Sequence, residues 1–300
     1  STIANGFSVD GTTFSVDAAN NRIGIGTSAP TNSLHVNGSA NIGSATNSNS
    51  TGQGLVVGTG NTMTNGYAAI GNGNTTSGGY SAAIGWNNTS SGHFASMTMG
   101  YDNVSSGASS FSAGQHNSSE GDNIVTLGSY VRATGVGSMY LGDHSVAAQT
   151  TRTGTDRFYA RFARGYYLYT NAAESSGVFT GIGGTAWASI SDSTKKENFK
   201  SVDGEQILTS ISKLKLGTWN YIFHDKSIRH YGPMAQQFHS EFGKDGIGVI
   251  GNDTSITTQD ISGVNITAIQ ALEKRTRELQ ESHNKLMKLE KSIIANKENM

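Results

Sequence analysis

The residues most able to do chemistry are a serine and a lysine placed close together late in the chain. Ser191 stands five residues before Lys196, in the stretch Ser-Asp-Ser-Thr-Lys-Lys. A serine hydroxyl becomes a nucleophile when a base takes its proton, and lysine can be that base where burial or neighbouring cations favour its neutral form. Spacing alone favours a polar turn with a solvated lysine, so the pair must be weighed with the elements that position it.

The composition of the chain changes abruptly at this pair. Residues 1–190 hold 14 charged residues and 31 of the 39 glycines, whereas residues 191–300 hold 29 charged residues. Every lysine lies at or after Lys195. The change predicts a glycine-rich β-structured segment followed by a charged, helix-capable one, and suggests a chain that cuts itself at the boundary.

The whole-chain composition limits the partners. A net charge of −1 gives no general attraction to nucleic acid or anionic membranes. The sequence has no run of 18 apolar residues, so we expect no membrane insertion. The histidines lack metal-ligand spacing and no nucleotide fingerprint is present, so we expect neither a metal nor a cofactor. A hydrophobic content of 35% is low for a globular monomer. Proteins of this composition usually bury enough apolar surface by stacking repeats or by forming oligomers.

Residues 51–148 repeat with a period of about 14, which predicts a stacked β-roll. The repeat is marked by two glycine series, Gly58, Gly71, Gly85, Gly100, Gly114, Gly128, Gly142 and Gly66, Gly78, Gly92, Gly107, Gly121, Gly135. A pair of apolar residues precedes each glycine of the first series, one residue three positions before the glycine and the other one position before it. The pairs are Leu55/Val57, Ala68/Ile70, Ala82/Ile84, Met97/Met99, Phe111/Ala113, Val125/Leu127 and Met139/Leu141. Alternation puts each pair on one strand face, which we expect to point inward where three chains pack around an axis. A disordered linker is the alternative, but linkers do not phase their apolar residues.

Asparagines follow five of these glycines by three positions, from Asn61 to Asn117. With the glycines, they are expected to supply the left-handed backbone angles of tight turns. The stretch Ala82 to Gly92, an A-x-x-G…S-G rhythm, resembles the heads of trimeric autotransporter adhesins. That resemblance implies a trimeric left-handed β-roll.

Two flanking segments also predict β structure. Residues 1–50 contain strand-like runs at Phe7–Val9, Phe14–Val16, Arg22–Ile25 and Leu34–Val36. The stretch from Arg22 to Gly38 resembles a segment common in phage tail-fibre shafts, so residues 1–50 are interpreted as a β-rich shaft segment. Residues 149–190 alternate polar and aromatic side chains and predict a small β-domain. Cross-strand packing is the favoured role of its aromatic residues, and a receptor or glycan platform is the alternative.

The chain from Trp187 onward carries several motifs in order: Trp187 to Phe199, Leu216 to Tyr221, Ile228 to Phe238 and Asp260 to Leu272. Together they resemble the endosialidase-type intramolecular chaperones that cap phage tail spikes and fibres. The resemblance implies that Ser191 is the nucleophile, that Lys196 is the base, and that the chain is cut between Ile190 and Ser191. Asn198 and His230 are possible supporting groups. Ser193 or Thr194 stands where many members carry arginine.

The C-terminal end predicts a coiled-coil helix over about 264–295. Leu272, Leu279, Leu286 and Ile293 are spaced by seven, which suits three helices wrapping a trimer. The fold class is therefore expected to be mainly β: a homotrimeric shaft with short β-domains, followed by an α+β chaperone domain ending in a long trimeric helix.

Three functions remain open at this stage. The first is the distal part of a homotrimeric phage tail fibre, located in the virion tail, which binds a glycan or outer-membrane receptor and releases its chaperone domain in the host cytoplasm. The second is a glycan-degrading tailspike, for which Glu120 and Asp122 are the nearest acidic pair. The third is a bacterial surface adhesin.

Overall fold

A computed structural model describes residues 7–50 and 53–298. The chain forms two compact units. One extends to residue 167 and includes 179–187, and the other comprises 168–178 and the chain from 188 onward. The architecture is mainly β, with few helices, as the sequence predicted.

The first unit is dominated by a β-solenoid of about eight turns built from two parallel sheets. The sheet of longer strands, called here the long-strand sheet, contains Ser39–Gly43, Gly54–Thr59, Ala68–Asn72, Ala82–Trp86, Met97–Tyr101, Phe111–Gln115, Val125–Ser129, Met139–Gly142 and Phe158–Arg161. The short-strand sheet contains Ser48–Asn49, Thr62–Met63, Thr75–Thr76, Thr89–Ser90, Val104–Ser105, Ser118–Ser119, Val131–Ala133 and Thr150–Arg152. Equivalent residues pair in register, Ile84 with Ile70 and Met99.

The interior of the solenoid is lined by the residue that stands between the two members of each apolar pair. The residue between each apolar pair is buried, as at Ala69, Ala83 and Thr98, each 0% exposed. The pairs themselves, such as Ala82 and Ile84, are only half-buried and lie on the outer face of the long-strand sheet. The expected sharing of one face is confirmed, and that face points out of the roll, away from the short-strand sheet.

The interior changes character along the solenoid. Apolar clusters occupy the two ends, Val56, Met63 and Ala69 at one and Ile124, Val131, Ala133 and Tyr140 at the other. Between them, buried hydroxyls bond to one another, with 2.9 Å between Ser112 Oγ and Thr126 Oγ1. Small side chains let neighbouring sheets approach closely, and each buried hydroxyl in such a pair is satisfied.

A column of buried asparagines runs through the solenoid: Asn47, Asn61, Asn74, Asn88, Asn103 and Asn117. Asn88 Nδ2 donates to the carbonyl oxygens of Ile84 and Gly100 at 3.0 and 2.7 Å, and Asn88 Oδ1 accepts from the backbone nitrogen of Asn103 at 3.0 Å. The expectation of left-handed angles is wrong for these asparagines. For the five asparagines from Asn61 to Asn117, the left-handed residue is the one before, for example Asn87 with φ 56°. The asparagine side chains instead satisfy backbone groups that the turns leave unpaired.

Asn88→Ala is expected to destabilise the solenoid by about 3 kcal/mol or more, because several buried backbone groups lose their partner at once. Chemical unfolding followed by circular dichroism measures the change. The exposed neighbour Asn87 is the control, since Asn87→Gly keeps the left-handed backbone and removes one hydrogen bond, to Asp102 at 2.9 Å. Equal stability of the two variants would contradict a structural role for the column.

The first glycine series allows the coils to stack closely. Gly85 has φ +118°, and a Cβ placed there would lie 2.2 Å from the carbonyl oxygen of Gly100 in the next coil. No side chain fits in that space, so the series is required by backbone proximity.

Smaller sheets flank the solenoid. The N-terminal strands Phe7–Val9, Phe14–Asp17, Arg22–Ile25 and Leu34–Val36 coincide with the predicted strand-like runs and form a four-stranded sheet. A three-stranded sheet comprises Tyr166–Tyr169, Gly177–Thr180 and Ala188–Ser189. Tyr167 and Phe179 stack across it with ring centroids 5.4 Å apart, the cross-strand packing favoured for the aromatic residues here.

The second unit contains three α-helices, a 3₁₀ turn and a small hairpin among its described residues. The helices are α1 (Gly204–Lys213), α2 (Ala235–Phe242) and α3 (Thr258–Glu298), and the hairpin pairs Gly217–Trp219 with His230–Gly232. α1 packs on α3 through Gly204 and Ala271, and Arg275 forms an ion pair with Glu205. The final helix is longer at both ends than the predicted 264–295.

Candidate functional site

Ser191 and Lys196, which the resemblance implies as nucleophile and base, lie in contact in the structure. Lys196 Nζ donates a hydrogen bond to Ser191 Oγ at 2.6 Å. Both side chains are exposed in the single chain. The contact places a primary amine within proton-transfer distance of a hydroxyl, which is the geometry a serine nucleophile and its base require.

A capped 3₁₀ turn produces this contact. The turn spans Ser193–Lys195, and its N-cap Asp192 accepts a hydrogen bond from the Thr194 backbone nitrogen at 2.9 Å. That backbone donor, together with the Thr194 side chain, holds the pKa of Asp192 below its usual value. The turn reverses the chain so that Lys196 faces back towards Ser191. Asp192 was not singled out from the sequence, although Asp-Ser-Thr is a typical capping pattern.

The residue before Ser191 is held from the other side. Ile190 follows the strand Ala188–Ser189, and its backbone nitrogen donates to the Gly177 carbonyl oxygen at 3.3 Å. The peptide bond between Ile190 and Ser191 therefore lies between a strand end and a capped turn, which limits the conformations available to it.

The two possible supporting groups lie apart from this contact. Asn198 is exposed and left-handed, with φ 55°. His230 stacks on Trp219 with ring centroids 4.8 Å apart, and His230 Nε2 and Trp219 Nε1 are buried without a hydrogen-bond partner. Within the described residues, neither Asn198 nor His230 forms a hydrogen bond with Ser191 or Lys196.

Asp192→Ala is expected to slow cleavage about fivefold, because loss of a cap costs roughly 1 kcal/mol of turn stability and frees Lys196 from its position. The fraction of cut chain is followed over time after cell-free synthesis. Asp192→Asn keeps an acceptor oxygen and is expected to cut close to the wild-type rate. Equal cleavage rates for the alanine and asparagine variants would show that the Asp192 cap does not position Lys196.

Glu120 and Asp122 do not have the environment of a glycosidase pair. Arg132 binds the Glu120 carboxylate through two contacts of 2.7 Å, and this pairing holds the pKa of Glu120 below its usual value. A glycosidase proton donor needs a raised pKa. Asp122 Oδ1 accepts a hydrogen bond from the Ala108 backbone nitrogen at 2.8 Å, so this carboxylate stabilises a turn.

No group of three or more histidine or acidic side chains is arranged to hold a metal ion in the part of the chain that the structure describes. No helix among residues 7–50 and 53–298 has the length and apolarity needed to cross a bilayer.

The comparison with protein families addresses the same segment as the Ser191–Lys196 contact. Residues 191–247 match the family model of the chaperone of endosialidase. The match begins at Ser191, includes Lys196 and His230, and ends before α3. No curated protein and no solved structure matches the chain.

The chaperone of endosialidase is a self-cleaving intramolecular chaperone, and the match is consistent with autoproteolysis. The matched segment and the β-solenoid together fit a fibre-like or tailspike-like protein.

Proposed function

We propose that this chain is the distal part of a homotrimeric phage tail fibre that attaches to the host surface. Its C-terminal module directs assembly and then cuts the chain between Ile190 and Ser191. The observation that carries the proposal is the 2.6 Å contact between Ser191 Oγ and Lys196 Nζ at the start of the matched segment.

The proposed reaction uses groups already adjacent to the bond. Neutral Lys196 accepts the Ser191 hydroxyl proton while Ser191 Oγ adds to the carbonyl carbon of Ile190. The carbon–nitrogen bond then breaks, the freed Ser191 amine takes a proton from the Lys196 ammonium, and Ile190 is left as an ester on Ser191 Oγ. Water hydrolyses that ester, which releases the two fragments.

Assembly is the proposed trigger for this reaction. Lysine acts as a base only where burial or nearby cations weaken its hold on a proton, yet Lys196 is exposed in the single chain. Residues 191–202 are all exposed in the single chain. Packing of other copies around them would exclude water from the pair. Cutting would then report that the chains have assembled.

Two unpartnered surfaces support a trimer. The outer face of the long-strand sheet carries the apolar pairs from Leu55/Val57 to Met139/Leu141, in register from coil to coil. On α3, the seven-residue series is exposed by half or more: Leu272 50%, Leu279 71%, Leu286 65% and Ile293 53%. A continuous apolar face of this kind is typical of a subunit interface.

The test is an intact-mass spectrum and a light-scattering mass of the expressed full chain. We expect two polypeptides, residues 1–190 and 191–300, with the first in a particle of three copies. An uncut chain or a monomeric first fragment would contradict the proposal. Attachment itself is measured by binding of the purified particle to a panel of bacterial strains.

A further inference from the structure

One edge of the solenoid repeats a left-handed residue two positions after the second-series glycines from Gly78 to Gly135. The residues at this position are Tyr80 (φ 61°), Phe94 (φ 58°), Ser109 (φ 52°), Asn123 (φ 57°) and Gly137 (φ 70°), and Ala95 beside Phe94 is left-handed as well (φ 61°). The turn therefore has a left-handed backbone in each of these five coils, whichever side chain is present.

Tyr80 and Phe94 are unusual occupants of such a position. Asparagine and glycine adopt left-handed angles at little cost, whereas bulky side chains are rarely found there. The rings of Tyr80 and Phe94 are 60% and 67% exposed, so the strain is not compensated by burial in the core. Strained residues with exposed side chains are concentrated at binding sites.

Each of the two rings has an aromatic neighbour of its own. Tyr67, in the preceding coil, is 48% exposed and its ring centroid lies 5.3 Å from that of Tyr80. His93 adjoins Phe94, with ring centroids 6.4 Å apart. We call Tyr67, Tyr80, His93 and Phe94 the aromatic edge.

The surroundings of the aromatic edge carry no formal charge. The sequence contains no Asp, Glu, Lys or Arg between Arg22 and Asp102. The exposed Asn65 lies beside this edge, with its Nδ2 3.9 Å from a Cβ built at Gly79. Flat aromatic faces beside amide and imidazole groups, without ions, complement a ligand that has both C–H faces and hydroxyls and no charge.

We propose that the aromatic edge binds an uncharged glycan, and this rests on the proposed function of host-surface attachment. The negative ring faces of Tyr80 and Phe94 attract the C–H faces of sugar rings, while Asn65 and His93 bond hydroxyls. A second copy of this chain has a larger apolar surface available on the outer face of the long-strand sheet. Because a second copy would pack on that outer face, the aromatic edge stays available to an external ligand.

The experiment compares the full-length protein with the double variant Tyr80→Asn/Phe94→Asn on immobilised neutral glucans, mannans and galactans, beside polysialic acid. Asparagine fits the left-handed backbone, so the double variant is expected to keep or raise the thermal midpoint. Its binding to a neutral glycan is expected to fall at least about tenfold. Ser109→Asn, at the same backbone position in a later coil, is the control and is expected to bind as wild type does.

Several outcomes would overturn this inference. They are wild-type binding to no neutral glycan, binding only to polysialic acid, or equal binding by the double variant. A changed particle mass in the double variant would assign the edge to a subunit contact instead. Self-cleavage, particle mass and attachment to bacterial strains are measured on the same samples. If the double variant disproves glycan binding at the aromatic edge, these other measurements still show whether the proposed function holds.

Discussion

Ser191→Ala is expected to yield a single uncut chain of 300 residues in place of two fragments. The substitution removes the only atom that the proposed reaction attaches to the Ile190 carbonyl carbon, and it creates no cavity because the side chain is exposed. Removal of a catalytic nucleophile typically lowers a rate by many orders of magnitude, about a millionfold in serine proteases. Intact-mass spectrometry of the purified protein gives the result directly.

The lysine provides a matched pair of variants. Lys196→Met should block cutting because it removes the base, whereas Lys195→Met, also exposed and one residue earlier, should cut normally. Light scattering of the Ser191→Ala protein is expected to give the trimer mass, since assembly precedes cutting. Normal cleavage in either Ser191→Ala or Lys196→Met would show that another group performs the reaction.

Residues 1–190 produced without the C-terminal module are expected to aggregate or to remain monomeric. Pairing three glycine-rich chains in register is entropically costly and prone to slippage, since equivalent residues repeat every coil. A module that associates first removes that cost by fixing the register. Size-exclusion chromatography and thermal melting of the truncated chain measure the loss.

The naturally cut fragment is the comparison for that experiment. It has the same residues but folded while the module was attached, so we expect it to stay trimeric after the module is removed. Its persistence would be kinetic, because no easy route back to separated chains remains. The same yield of the same particle from the truncated chain would show that the module is dispensable for folding.

The C-terminal module has its own contacts to hold it together before the shaft forms. Lys213 Nζ lies 3.0 Å from Glu241 Oε2, which links α1 to α2, and Arg275 pairs with Glu205, which links α3 to α1. All four side chains lie in the second compact unit. This arrangement suits a module that folds as a unit and presents α3 to other copies.

Much of the fold could be predicted from the spacing of residues. The 14-residue glycine phase predicted stacked coils, because only a residue without Cβ allows the backbone approach observed at Gly85. The strand positions near the N-terminus followed from short apolar runs between glycines. The change in charge at residue 191 marked where the helical module begins.

The orientation of the strands could not be predicted in the same way. Alternation says that Ala82 and Ile84 share a face and that Ala83 has the other, but it does not say which face is inside. The structure buries Ala83 inside the roll and leaves the pair on the outer face of the sheet. The packing of the two sheets against each other decides this, and spacing along the chain does not specify it.

By itself, the sequence determined the period, the order of the segments and the presence of Ser191 and Lys196 near a boundary, since these depend on local residue types. Only the tertiary structure decided that the asparagines form one buried column, that the turn capped by Asp192 brings Lys196 Nζ to Ser191 Oγ, and that Tyr80 and Phe94 occupy left-handed positions at an exposed edge. Each of these depends on distances between coils or on turn angles, which are set by packing and hydrogen bonding across the chain and not by spacing along it.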